Sequence, residues 1–207
     1  MRRFVFWGIL LATFSLTAGC SVIAKAAFGI DEIKEYREER VQSFLAESQR
    51  KVPCRQIIAT VEQQDNLIRL DHDTTMMQHR AQPVQVLYFD GDSLIFYHIN
   101  CYTQSSSNFL RYDWNNKGSF DRFPPSPTVV PDWHGRMTLT EYRRCLPGLA
   151  SGSRYTILIL WNNMLRKVSA KAVEAVAANV KGREDCTVWL VNTDQWIVEY
   201  INKQRTE

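Results

Sequence analysis

The chain has no CxxC pair, no HExxH or HxxxH spacing, no GxSxG elbow and no run of basic residues. Each absence excludes a class of chemistry. Without CxxC there is no adjacent dithiol to attack and then resolve a mixed disulfide. Without paired histidine spacing there is no zinc-hydrolase signature. Without GxSxG the nucleophile turn of α/β-hydrolases is missing. With 25 Lys and Arg against 22 Asp and Glu and no basic stripe, nucleic acid is excluded as the main partner, because phosphate binding needs a concentrated basic face. No internal repeat points to a solenoid. A hydrophobic content of 45% is instead that of a chain with a packed core rather than a disordered stalk.

Long apolar runs are also scarce. The longest, Phe4–Leu16, falls short of the about 20 residues a spanning helix needs. Arg2 and Arg3 precede it, and Leu16-Thr17-Ala18-Gly19-Cys20 follows. Charge, core length and small residues at the cut are those of a cleaved leader, and the last five residues resemble the lipobox of bacterial lipoproteins. The expectation is a signal peptide over residues 1–19 and a lipidated tether over 20–30. Residues 31–207 then form one α/β domain, with the mature net charge near +1. The resemblance implies a diacylglycerol and an N-acyl chain on Cys20. Each buried methylene contributes about 0.8 kcal/mol and one chain binds only marginally, so three chains make a durable anchor. Ser21 replaces the Asp that often retains lipoproteins at the inner membrane, and no acidic cluster follows. The expected location is the cell envelope, on the periplasmic face of the outer membrane.

Cys54, Cys101, Cys145 and Cys186 remain. An even count in an oxidising compartment permits two disulfides in any of three connectivities, or four free thiols packed as small hydrophobes.

Helical spacing of Ile33, Tyr36, Val41, Phe44, Leu45 and Ser48 predicts a helix over 31–49, with Asp31 as N-cap and Pro53 as the stop. Ile57–Val61 and Leu67–Leu70 read as short strands around a polar turn at Gln63-Gln64-Asp65-Asn66. Residues 82–89 and 93–97 flank Asp90-Gly91-Asp92 and predict a hairpin. Residues 105–131, rich in Ser, Asn, Gly and Pro, read as a linker or a long irregular insertion. Thr138 and Glu141 form a capping box, and Pro147-Gly148 ends the short helix that follows. Tyr155–Trp161 is continuously apolar, as expected of a strand buried on both faces. A helix started by Ser169 and closed by Gly182, then a strand over Cys186–Val191, completes a parallel βαβ unit. Residues 194–202 suit a last helix carrying Trp196, Ile197 and Tyr200.

Ile157–Trp161, the loop Asn162–Lys167, its helix and the strand ending Val191-Asn192-Thr193-Asp194 resemble the strand, redox loop, helix and next strand of thioredoxin-like domains. Gln82-Pro83-Val84 to Tyr97 resembles the cis-proline and hairpin of that fold, Pro83 equally suiting a plain strand start. The hairpin precedes the βαβ unit, so the strand order is rearranged. The loop reads Asn162-Asn163-Met164-Leu165, with no cysteine. The mature chain is similar to uncharacterised lipoproteins of the Bacteroidetes type. That likeness rests on the lipobox, Phe28-Gly29-Ile30, the Pro83 hairpin, Cys101, Tyr155–Trp161 and Val191–Asp194.

Open α/β sheets bind ligands beyond the carboxyl ends of parallel strands. Trp161, Asn162, Asn163 and Met164 are therefore the candidate ligand residues, with a core-packing role for Trp161 as the alternative. Asp113, Asn115, Gly118 and Asp121 have part of a calcium-loop spacing, but Lys117 and Pro124 occupy ligand positions, so a turn held by Asx side chains is expected. Asp71, His72, Asp73 and His79 read as a solvated polar loop, and no metal or other cofactor is expected. His98 and His134 show no recognisable triad pattern. The functional expectation is a non-catalytic binding or scaffolding module whose partners are the membrane, through its lipid, and an envelope protein. The alternatives are a thiol-disulfide redox protein using non-adjacent cysteines and a hydrolase assembled from scattered residues.

Overall fold

The structure is a computed structural model that describes residues 30–70, 73–103, 112–130, 137–150 and 152–206. The leader, Cys20, Asp71, His72 and His134 lie outside the described residues.

Tyr155–Trp161 (β4) and Cys186–Asn192 (β5) pair in parallel, joined by a helix over Arg166–Asn179 (α5). All seven residues of β4 are buried, which is why the run shows no alternation. The hairpin forms as expected, with Gln85–Asp90 (β2) antiparallel to Ser93–Ile99 (β3) and Gly91 at φ 59° in the turn. β2 also runs antiparallel to β4. Cys54–Ile58 (β1) pairs in parallel with the far side of β5. The result is one open mixed sheet in the order β1-β5-β4-β2-β3, an α/β architecture with a parallel βαβ unit beside a hairpin.

Helices cover both faces. On one face Glu38–Gln49 (α1) and α5 pack over Val86, Tyr88, Ile157, Ile159, Trp161 and Leu190. On the other, helices Val61–Ile68 (α2), Thr74–Arg80 (α3) and Leu139–Cys145 (α4) cover Leu87, Phe89, Leu158, Leu160 and Val191. The last helix, Asp194–Thr206 (α6), leaves β5 directly. Alternate residues of each central strand thus feed two cores.

Several expected elements differ. The first helix begins at Glu38, after an extended Arg37. Asp31 caps nothing: its N–H donates to the Met164 carbonyl at 2.8 Å and its carboxylate pairs with Arg40 at 3.0 Å. The first short strand is Cys54–Ile58, not 57–61, and the second does not exist. The polar run 63–66 belongs to α2, because Thr60 accepts the Gln63 N–H (3.2 Å) while the Gln63 side chain accepts the Thr60 N–H (3.0 Å). Gln64, Leu67 and Ile68 then share the buried side. Asp73 is no free loop residue either: it caps α3 by accepting the N–H groups of Thr75 and Met76. The Thr138–Glu141 box stands as expected. Ser169 does not start its helix; it lies buried one turn in and donates its hydroxyl to the Asn162 carbonyl at 3.2 Å.

The described part of the insertion, 112–130, is irregular but is no linker. Trp114 and Phe120 are buried in the first core, and Trp114 donates its indole N–H to Val168 O at 3.1 Å. Thr128 accepts the Tyr97 N–H and returns its hydroxyl to Tyr97 O, while Val129 and Val130 donate to that same oxygen. The insertion thereby satisfies the outward backbone groups of Tyr97 on the outer edge of β3, which would otherwise be unpaired. Asn115 accepts the Phe120 N–H and donates to Asp121, and Asp113 accepts the Asn115 N–H, so this loop is the Asx-held turn expected. The cis peptide bonds among the described residues precede Pro124 and Pro127, not Pro83.

Candidate functional site

The carboxyl ends of β1, β5 and β4 and the start of β2 lie at one end of the sheet, and the loop after β4 crosses it. Three of its four candidate residues are turned inward. Trp161 is fully buried and stacks on Phe44 with ring centroids 4.0 Å apart. Asn162 donates to Pro83 O at 2.7 Å and accepts the Leu165 N–H at 2.9 Å. Asn163 gives both its backbone N–H (2.7 Å) and its side-chain amide (2.6 Å) to the Asp194 carboxylate, which is 2% exposed. The Asn163 side-chain oxygen accepts from Arg166, whose guanidinium also reaches Glu47 at 2.8 Å. Asp194 itself donates its N–H to Asn192. The hydrogen-bonding groups of Asn162 and Asn163 are therefore spent inside the protein. They lock β4, β5 and α6 together, and a ligand would have to break buried bonds to use them.

Met164 is half-buried, packed against the first core and also bordering a depression on the surface. Together with Pro83, Ile68 of α2, Met77 of α3 and Trp196 and Tyr200 of α6, it walls a groove of about 490 Å³, inside the roughly 300–1,000 Å³ range typical of ligand sites. Trp196 and Tyr200, one helical turn apart, stack with centroids 5.3 Å apart. The indole N–H of Trp196 donates to Asp65 at 2.7 Å, which fixes the ring orientation and leaves its apolar face for contact. Tyr200 remains 52% exposed. Charged groups stand at the margin, among them Arg69 and a Lys203–Glu199 pair at 2.6 Å.

Sequence reasoning found Met164 and missed the rest of this wall. The i, i+4 spacing of Trp196 and Tyr200 was a usable signal; Ile68 and Met77 gave none, because their helices were not expected.

The cysteines do not converge. Cys54 and Cys186, on neighbouring strands, pack against the first core, Cys145 lies in the second, and Cys101 is exposed in the short turn after β3, donating to Gln82 at 2.7 Å. All four are free thiols. Burial pushes the Cys54 thiol up to about 11 and raises the other three above the ordinary thiol value. None is an activated thiolate.

His98 is fully buried against Trp114, Phe96 and Phe120, its Nδ1 is 3.1 Å from Ile99 O, and desolvation pulls its pKa down to about 4. Burial also lowers His79. Among the described residues no group of three or more His, Cys, Asp or Glu could hold a metal ion, and no helix is long and apolar enough to cross a membrane. Comparison with protein-family models, curated proteins and solved structures returned no match for this chain.

Proposed function

We propose that this protein is a lipid-anchored, non-catalytic binding or scaffolding module of the bacterial cell envelope. It takes an apolar segment of a protein partner in the groove formed by α2, α3 and α6. The observation that carries the reading is that groove: Met164, Pro83, Trp196 and Tyr200 share one apolar wall at the carboxyl end of the sheet, where open α/β sheets place ligands.

A thioredoxin-like relationship is part of the proposal. Its support is the neighbour order, in which the hairpin lies antiparallel on one flank of β4 and the parallel strand β5 on the other. The hairpin comes first in the chain. In this reading Met164 occupies the place of the redox loop and Pro83 that of the hairpin proline. With asparagines in place of the loop thiols, the site keeps the means to hold a chain and has none to exchange a disulfide. The raised thiols of Cys54, Cys101, Cys145 and Cys186 favour binding over the redox alternative.

The leader, the lipidation of Cys20 and the outer-membrane location belong to the same proposal and rest on residues 1–30 of the sequence; the likeness to Bacteroidetes-type lipoproteins belongs to it too and rests on those residues together with the Pro83 hairpin, Cys101, Tyr155–Trp161 and Val191–Asp194. Two measurements test it. Metabolic labelling with a fatty acid should mark the wild-type chain and not Cys20→Ser. Crosslinking in intact cells should capture an envelope protein with the wild type and lose it with Trp196→Ala. Capture unaffected by Trp196→Ala would remove the groove from the proposal.

A further inference from the structure

The two outer strands of the sheet differ in how they end it. β3 is buried at Leu94 and over residues 96–99, and the insertion serves the outward backbone groups of Tyr97. β1 has no fully buried residue: Arg55 and Gln56 are exposed, and Cys54, Ile57 and Ile58 are half-buried. Ala59, just beyond β1, donates its N–H to Asn192 O on β5. Backbone groups alternate in direction along a strand. The odd-numbered residues of β1 therefore address β5, and Cys54, Gln56 and Ile58 turn their N–H and C=O groups away from the sheet. Among the described residues none bonds to these groups. Open edges of this kind are commonly blunted by a proline, a bulge or a projecting charge. β1 contains no proline, and its register with β5 is unbroken. Its one charged residue, Arg55, is laid back over its own sheet, with the guanidinium 5.5 Å from the Trp189 ring centroid.

The strand is complementary to itself. Turned antiparallel about Gln56, two copies set Gln56 opposite Gln56, Arg55 opposite Ile57 and Cys54 opposite Ile58. No like charges face each other, and each Gln56 amide is able to donate to and accept from its mate. Cys54, Gln56 and Ile58 then occupy the hydrogen-bonded positions of an antiparallel ladder, so every outward N–H and C=O of the strand finds a partner. Cys54 and Ile58 pack against the first core and Ile57 against the second, so pairing takes apolar surface out of water on both faces of the sheet.

We propose that β1 is an interface between two copies of this chain, joined edge to edge about a two-fold axis at Gln56 into one continuous sheet. The proposal goes beyond the binding role and does not rest on the groove, which β1 does not line. A single short strand pair is a weak contact, so the test traps it in place.

The full chain carrying Gln56→Cys is made in intact cells, treated with a mild oxidant, and its disulfides are mapped by mass spectrometry. Residues opposed at a hydrogen-bonded pair lie about 5.5 Å apart between Cα atoms, inside the roughly 4.4–6.8 Å that a disulfide spans. The expected product is a dimer linked from position 56 to position 56, with no matching link at position 184 in Glu184→Cys, on an exposed loop. Two differently tagged copies, fixed in the cells with formaldehyde, supply a second readout. Gln56→Lys in both copies should lower their co-purification about fivefold, the fold-change for a like-charge cross-strand pair. Gln56→Lys in one copy with Gln56→Glu in the other should restore it, which damage to the fold would not allow. A position 56 that forms no such link, forms it no faster than position 184, or is joined instead to a different protein overturns the proposal. So does co-purification that is indifferent to the charges placed at position 56.

Discussion

Acidification should destabilise this protein through His98. The imidazole is enclosed by Phe96, Trp114 and Phe120, and Lys117 adds a repulsive charge to the protonated form. Its pKa falls from 6.5 in the unfolded chain to about 4 in the fold. Between those values the unfolded state binds the proton and the folded state refuses it, so stability declines as pH falls. With a folded value of about 4, the loss amounts to about 3 kcal/mol once pH reaches 4, a large share of a typical 5–15 kcal/mol. Urea unfolding at pH 7.5, 6.5, 5.5 and 4.5, followed by tryptophan fluorescence, measures this. The wild type should lose roughly 1.4 kcal/mol per unit through the middle of the window. His98→Phe, of similar shape and without a proton to bind, should show a flatter curve over the same range whatever its stability at neutral pH. Parallel curves for the two proteins would refute the burial of a neutral imidazole as the source of acid sensitivity.

Three other outcomes follow from the described contacts. Asp194→Ala strands two buried donors of Asn163; at 1–3 kcal/mol for each unsatisfied group, about 3 kcal/mol should be lost. Thermal unfolding should then shift by roughly 6–12 °C for a chain of this size, and a loss below about 1 kcal/mol would contradict the lock. Thr60→Ala should cost about 1 kcal/mol in urea unfolding and Thr60→Ser much less, because only the hydroxyl that accepts the Gln63 N–H is at stake. With a thiol reagent at pH 7.5, Cys101 should react first and Cys145 should wait for unfolding, following their exposure. Fast labelling of Cys145 in the folded protein would show that burial does not protect it.

The hairpin was legible because Asp90-Gly91 supplies the positive-φ turn and its flanks are β-branched or aromatic. β4 was legible because an uninterrupted apolar run suits a strand covered on both faces. The short polar stretch at 63–66 misled, since Gln, Asp and Asn suit turns; yet Thr60-x-x-Gln63 is itself a helix-start signature, and weighing it would have recovered α2. Asp31 offered a suitable cap by type, but its backbone and side chain are committed to Met164 and Arg40, contacts between segments that no local pattern announces. Asn162 and Asn163 were rightly placed at the end of β4, while their inward orientation depends on Pro83 and Asp194, distant in sequence. The groove needed α2, α3 and α6 to converge, and that follows from the sheet order rather than from periodicity.

The sheet order has a consequence for how the molecule is completed. β1, near the start of the domain, finds its pairing partner in β5, near its end, and β5 lies between β1 and β4. A chain still being synthesised can close the hairpin and add β4, but it holds β1 unzipped. The sheet closes when the carboxyl-terminal part arrives and slides its strand into a reserved slot. The early strand therefore keeps its backbone edge without a sheet neighbour until residues 186–192 have been made, and the two halves of the molecule are joined last, at their middle.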